Sequence, residues 1–185
     1  MKSEQELIAE SRAGSQDAYC ELVNRFSGRL FSAMLHVIGS HDDAEEVVQE
    51  TFVQAYVKLD TFQGHSQFFT WLYRIAFNNS LSRRRRRRPD VSLELNRETT
   101  GIDPEDRVEQ PDEPLLRQEK IALVHKGLQM LTEEHRSILV LREMDEMAYE
   151  DIAEVLNINI GTVRSRLSRA RAALKAILEE IEEVQ

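Results

Sequence analysis

Tyr149-Glu150-Asp151-Ile152-Ala153-Glu154-Val155-Leu156-Asn157-Ile158-Asn159-Ile160-Gly161-Thr162-Val163-Arg164-Ser165-Arg166-Leu167 carries the pattern of two short helices and the turn between them. Ile152, Ala153 and Leu156 recur at helical spacing on one face, and the small Ala153 lets a second helix cross closely. Asn157 suits the chain reversal, and the Thr162 hydroxyl is expected to cap the helix that follows. In that helix Val163, Leu167 and Ala170 form a buried stripe. Thr162, Arg164, Ser165, Ser168, Arg169 and Arg171 then lie off that stripe, with Arg166 at its flank. An arginine-rich helix alone reads first as a solvated surface, but the turn and stripe before it reverse that and favour insertion in a major groove. There arginine bonds guanine edges bidentately and also neutralises phosphates.

Toward the N-terminus the pattern changes. Pro89, Pro104, Pro111 and Pro114 are the only four prolines, and they fall in a stretch without sustained apolar periodicity. This stretch, residues 89–119, reads as a linker. It separates residues 1–88 from residues 120–185, so two small helical modules are expected. In the first, Leu7, Ala18, Leu22, Phe26, Leu30 and Met34 recur every three or four residues, as do Val48, Phe52, Ala55 and Leu59. Gly39-Ser40-His41 breaks the two groups. After the linker, helices are expected over 115–131, 133–143, 150–156 and 162–180. No stretch alternates like a strand, so the fold class is all-α.

Charge is segregated along the chain. The net charge is −9, yet residues 60–88 hold seven basic groups and one acidic, and 161–185 hold five basic groups ahead of an acidic tail. Residues 89–119 hold three basic and ten acidic groups. Local fields set where a polyanion docks, so the two basic patches point to nucleic acid and the acidic stretches to a basic partner. Cys20 is the single cysteine and closes no intrachain disulfide. With no Cys/His cluster of zinc spacing and no apolar run near the ~18 residues that span a bilayer, a cytoplasmic protein without membrane insertion, metal or cofactor is expected.

Within 42–59, Ala44, Val48, Phe52, Ala55 and Leu59 pack inward, leaving Glu45, Glu46, Gln49 and Glu50 as an acidic outer face. The next segment sets Phe62, Phe68, Phe69, Trp71, Tyr73 and Phe77 beside Asn78, Asn79 and the arginine run 83–88. Aromatic rings near cations can stack unpaired bases, although the helical spacing of Phe68, Trp71, Leu72 and Ile75 marks most of these as core.

Two signatures together resemble the extracytoplasmic-function branch of the sigma-70 family. One is Asp42-Asp43-Ala44-Glu45-Glu46-Val47-Val48-Gln49-Glu50-Thr51-Phe52 with Phe69-Thr70-Trp71-Leu72-Tyr73-Arg74-Ile75-Ala76. The other is Tyr149-Glu150-Asp151-Ile152-Ala153 with Gly161-Thr162-Val163-Arg164-Ser165-Arg166. The chain departs from the family at Glu146 and Ala148, where a glycine and a hydroxyl cap are usual. The resemblance implies region 2 in residues 1–88 and region 4 in 120–185. It implies docking of the helix bearing Asp42, Asp43, Glu45, Glu46, Gln49 and Glu50 on the clamp of core RNA polymerase. A minus-ten element would be read and melted by the loop Phe62, Gln63, Gly64, His65, Ser66 and Gln67 with Arg74 and Asn78. Phosphate contacts would come from the basic run, Arg83 and Arg84 included. Minus-35 DNA falls to the helix of Thr162 to Arg171, and an anti-sigma factor is an implied partner.

Linker geometry bears on mechanism. Thirty-one residues span roughly 30 Å as a coil and roughly 100 Å extended. Promoter elements about 25 base pairs apart lie roughly 85 Å apart, so the bound linker must be extended, and polymerase is expected to spread modules that are poorly competent alone. Two other readings are weighed against this one. A conventional activator or repressor would bind a palindromic operator tightly without polymerase. A nucleic-acid enzyme needs a carboxylate cluster beside a basic catalytic group or a phosphate-cradling glycine loop, and the chain offers neither.

Overall fold

A computed structural model describes residues 2–86 and 113–183, and among these all regular structure is helical. The first module holds α1 (Glu4–Arg12), α2 (Gln16–Ile38), α3 (His41–Lys58), a 3-10 turn (Leu59–Thr61) and α4 (Phe68–Arg86). The second holds α5 (Glu113–Met130), α6 (Glu133–Leu139) running into a π turn (Val140–Met144), α7 (Tyr149–Leu156) and α8 (Ile160–Glu183). Helix α5 begins inside the expected linker, since residues 113–119 are already helical. The rest of that linker, 89–112, and Arg87 and Arg88 lie outside the described residues.

Local chemistry sets the boundaries in the first module. Ser3 and Glu6 form a reciprocal capping box at α1. Ser15 and Ser40 cap α2 and α3 by accepting from the N–H of Ala18 and Asp43. Between α2 and α3 the expected break is Gly39 at φ 81°, a left-handed C-cap that a side chain would strain. A Cβ there would meet only the amide end of the Gln129 side chain, at 2.4–2.8 Å, which can swing aside, so it is the backbone angle that calls for glycine.

Leu22, Leu30 and Met34 of α2, Ala44, Val47 and Ala55 of α3, and Phe68, Leu72, Tyr73 and Ala76 of α4 are fully or nearly fully buried. Arg12 reaches from the end of α1 to the carbonyl oxygens of Leu59 and Phe62, which ties down the start of the loop before α4.

In the second module, Gly127 brings α5 close to α8, because a Cβ there would stand 3.0–3.1 Å from the Leu174 and Leu178 side chains. Arg136 gathers the end of α5. It donates to the carbonyls of Leu128 (2.8 Å), Gln129 (2.9 Å) and Leu131 (3.1 Å), at and just beyond the last turn of the helix.

The two modules share one continuous apolar core. Helix α4 packs on α7, and the end of α2 packs on α6 and the π turn. Polar contacts cross the same seam: Arg136 donates to Val37 O at 3.0 Å and Gln129 to His36 O at 3.4 Å. The rings of His36 and His125 stack with centroids 4.6 Å apart.

Candidate nucleic-acid and polymerase surfaces

The helix-turn-helix forms as its residue pattern predicts, with two corrections. Helix α7 ends at Asn157, φ 53°, and the reversal is closed by Ile158 N donating to Ala153 O at 3.0 Å. Its most buried residues are Ile152 and Val155, while Ala153 and Leu156 are half-buried against the core, so the packed face is turned from the expected one. The second correction concerns the cap of α8. Asn159, not Thr162, takes that role: its Oδ1 accepts from Thr162 N at 2.7 Å and from the Thr162 hydroxyl at 2.8 Å. Asparagine reaches the third N–H of a helix as readily as a hydroxyl does, and that moves the start of α8 to Ile160.

The start of α7 shows what the two family departures cost. Glu146 holds φ 54°, the left-handed region where glycine carries no side-chain penalty. Ala148 occupies the N-cap without a side-chain bond to the helix.

On α8, Val163, Leu167 and Ala170 are buried, and Arg164, Ser165, Ser168, Arg169 and Arg171 are exposed. Arg166 lies at the flank, 3.3 Å from Glu134, and Arg171 is held by Glu143 through Nε (3.0 Å) and Nη2 (2.6 Å). Arg164 and Arg169 make no ion pair among the described residues. The open part of this face is thus Arg164, Ser165, Ser168 and Arg169, a cationic and hydrogen-bonding strip that can reach base edges.

The first module carries two further surfaces. Arg74 and Asn78 of α4 are exposed and, with Trp71, Ile75, Gln54 and Lys58, line an open groove of about 190 Å³. The loop before it presents Gln63, Gly64, His65 and Gln67 to solvent, with Ser66 half-buried. Phe62 departs from expectation: its ring is 8% exposed and packs on Phe68 and Trp71, both at 5.4 Å between centroids. It belongs to the core, because an aromatic side chain gains more from burial here than a loop tip could offer it in water.

Asp42, Glu45, Glu46, Gln49 and Glu50 form the exposed outer face of α3, with Asp43 half-buried at its edge. That face continues into three exposed apolar side chains, Val53 (67%), Tyr56 (46%) and Val57 (77%). The inward periodicity of Phe52 and Ala55 implies that Val53 and Tyr56 face out, so this apolar patch was readable in the spacing.

Arg83 joins these surfaces. It bridges Asp43 (3.6 Å), Glu46 and Glu50 (3.3 Å) on α3, while Arg84 pairs with Glu133 across the module seam. Both arginines line a cleft of about 270 Å³ with Glu133 and Arg136.

The seam also holds unusual titratable groups. Burial pushes the Asp145 carboxyl up to about 6 against the opposing pull of Arg29, and one of its oxygens has no hydrogen-bond partner. Tyr73 is fully buried, and burial followed by the nearby Asp145 raises its pKa well above the usual phenol. Burial and the adjacent His125 lower His36 to about 4, and burial lowers His125. Among the described residues, no group of His, Cys, Asp and Glu is arranged to hold a metal.

Comparison with known proteins agrees with this geometry. Residues 22–89 match the sigma-70 region 2 family and 121–174 match sigma-70 region 4. The RNA polymerase sigma-H factor of Pseudomonas aeruginosa is 37% identical over 185 residues, covering 97% of this chain and 96% of that protein. The ECF RNA polymerase sigma factor SigW of Bacillus subtilis is 31% identical over 181 residues, 94% of this chain and 96% of that one. The structure of CnrH in complex with the cytosolic domain of CnrY aligns with a TM-score of 0.70 at 28% identity, covering 97% of this chain and 99% of that chain. RpoE of Bartonella quintana, bound to the anti-sigma factor NepR, aligns with a TM-score of 0.65 at 25% identity over 87% of this chain and 96% of that one. With both modules matched in order and nearly the whole length shared, the chain belongs to the extracytoplasmic-function sigma factors of the sigma-70 family.

Proposed function

We propose that this chain docks on core RNA polymerase through α3, directs it to promoters and promotes melting of the minus-ten element, acting in the cytoplasm without catalysis of its own. The observation that carries this reading is the separation of three surfaces on one chain. An acidic face with an apolar continuation lies on α3, a polar groove with an exposed loop on α4, and a cationic strip on α8. In this reading residues 1–88 are the docking and melting module, a linker follows that ends at the start of α5, and α5 to α8 are the minus-35 module. No described helix is long and apolar enough to cross a membrane.

Docking uses Asp42, Glu45, Glu46, Gln49 and Glu50 to meet cations on the clamp, with Val53, Tyr56 and Val57 supplying buried area at the centre of the contact. Melting uses Gln63, Gly64, His65, Ser66 and Gln67 with Arg74 and Asn78, which offer hydrogen bonds to a base taken out of the stack. Phe62 supports that loop from below. Arg164, Ser165 and Ser168, with Arg169 beside them, read minus-35 DNA from the major groove.

The shared core and the α4–α7 packing favour a free state in which the modules are closed on each other, and polymerase would spread them. An anti-sigma factor would act by holding that closed state. The test is transcription in vitro with purified core polymerase and mapping of start sites. Start sites that share spaced upstream elements support the reading, and tight operator binding without polymerase would replace it with a conventional regulator.

A further inference from the structure

We infer that Arg83 is a shared cation: it holds the docking acids of α3 in the free protein and is released to the DNA backbone when polymerase takes those acids. The inference rests on the sigma-factor reading above and adds a coupling between its two surfaces. Asp43, Glu46 and Glu50 fall at i, i+3 and i+7, a single stripe along the edge of α3 that Arg83 of α4 reaches. Arg83 meets all three, at 3.6 Å to Asp43, directly at Glu46, and at 3.3 Å to Glu50.

The side chain of Arg83 is only 25% exposed, and its Nε is buried without a hydrogen-bond partner. A guanidinium wedged between two helices in this way is not presented to a phosphate. Its partners Glu46 and Glu50 are each 52% exposed, so a basic surface approaching α3 from solvent reaches the same oxygens. Half-exposed ion pairs exchange readily, because their Coulomb gain barely exceeds the cost of ordering two long side chains. Once a partner's cations occupy Glu46 and Glu50, Arg83 sits near the end of the readout helix with its strongest acceptors taken. A strand running along α4 then offers phosphate oxygens in their place. One residue thereby makes DNA contact conditional on polymerase docking.

The test is a mutant cycle on the full chain, read by anisotropy of a labelled single-stranded oligothymidine without polymerase. Neutralising the acids with Glu46→Gln and Glu50→Gln imitates their capture. That variant is expected to bind the oligonucleotide several-fold more tightly at about 50 mM salt, with the slope of log K against log salt steeper by about 0.7 for one added phosphate contact. Adding Arg83→Gln should remove most of the gain and restore the slope, whereas Arg83→Lys should keep much of it. In the parent background Arg83→Gln should cost at most about twofold, since there the cation is already engaged. The difference between the two costs is the coupling. No gain on neutralising the acids, or a gain that survives Arg83→Gln, overturns the exchange, and circular dichroism on each variant confirms that helices persist. Transcription by the parent chain with core polymerase separates the two levels. Initiation without coupling sinks only the exchange, and absence of initiation sinks the sigma-factor reading.

Discussion

Arg74 on α4 of the first module and Glu154 on the first helix of the helix-turn-helix form an ion pair at 3.5 Å. A carboxylate from one DNA-binding module thus occupies a cation of the other. Glu154→Arg should set like charges against each other and shift the chain toward separated modules, seen as a larger radius of gyration in small-angle X-ray scattering. Both side chains are about half exposed, so the shift should correspond to about 1 kcal/mol or less. Pairing Glu154→Arg with Arg74→Glu should restore compactness, and no change in either variant would show that apolar packing alone holds the seam.

Docking on α3 predicts a split between charge and apolar area. Reversing Glu45 and Glu50 to lysine should slow association with core polymerase and weaken the salt dependence of binding. Val53→Asp should instead speed dissociation, because it places a charge at the centre of the contact. Surface plasmon resonance with immobilised core separates the two, and unaltered kinetics in both variants would remove α3 from the interface.

On α8 two substitutions three residues apart should behave differently. Arg164 is exposed and unpaired among the described residues, so Arg164→Ala should reduce transcription from promoters with a minus-35 element while leaving the melting temperature within about 1–2 °C. Leu167 is 1% exposed, and Leu167→Ala should cost about 2–5 kcal/mol. Equal loss of stability from both would contradict the orientation of the helix.

The Asp145 carboxyl is raised from 3.8 to about 6 by burial, so its ionised form destabilises the folded seam. Stability from this group is fully present below about 4 and is lost as pH rises through about 6. Asp145→Asn should therefore stabilise the protein at pH 7.5 by about 1–2 kcal/mol after solvent screening, and its advantage should vanish near pH 4. His36 works in the opposite sense: lowered to about 4, it contributes stability above pH 6.5 that is lost as pH falls toward 4. Thermal melts of Asp145→Asn and His36→Gln across this range should show advantages of opposite slope.

Burial of Phe62 changes what its removal reports. Phe62→Ala should cost about 3–5 kcal/mol in folding stability, because it empties a site between Phe68 and Trp71. Combining Gln63→Ala, His65→Ala and Asn78→Ala should leave stability and core binding intact but suppress permanganate reactivity of minus-ten thymines on duplex templates. A template already mismatched there should recover part of the transcription. Full melting of duplex DNA by the triple variant would take this loop and Asn78 out of the mechanism.

Helix periodicity, the glycine break at Gly39, the reversal at Asn157 and the buried stripe Val163, Leu167 and Ala170 were all legible in the residues. Each follows from interactions within a few positions, where spacing alone places side chains on a face or sets a backbone angle. Tertiary structure decided the rest. It turned Phe62 into the core and tied Arg83 to α3 and Arg74 to Glu154. In the unfolded chain a ring or a guanidinium has several equally good partners. Which one wins depends on which elements lie within a few ångströms, and that is set by packing of helices from both modules around one core, a relation no local pattern encodes.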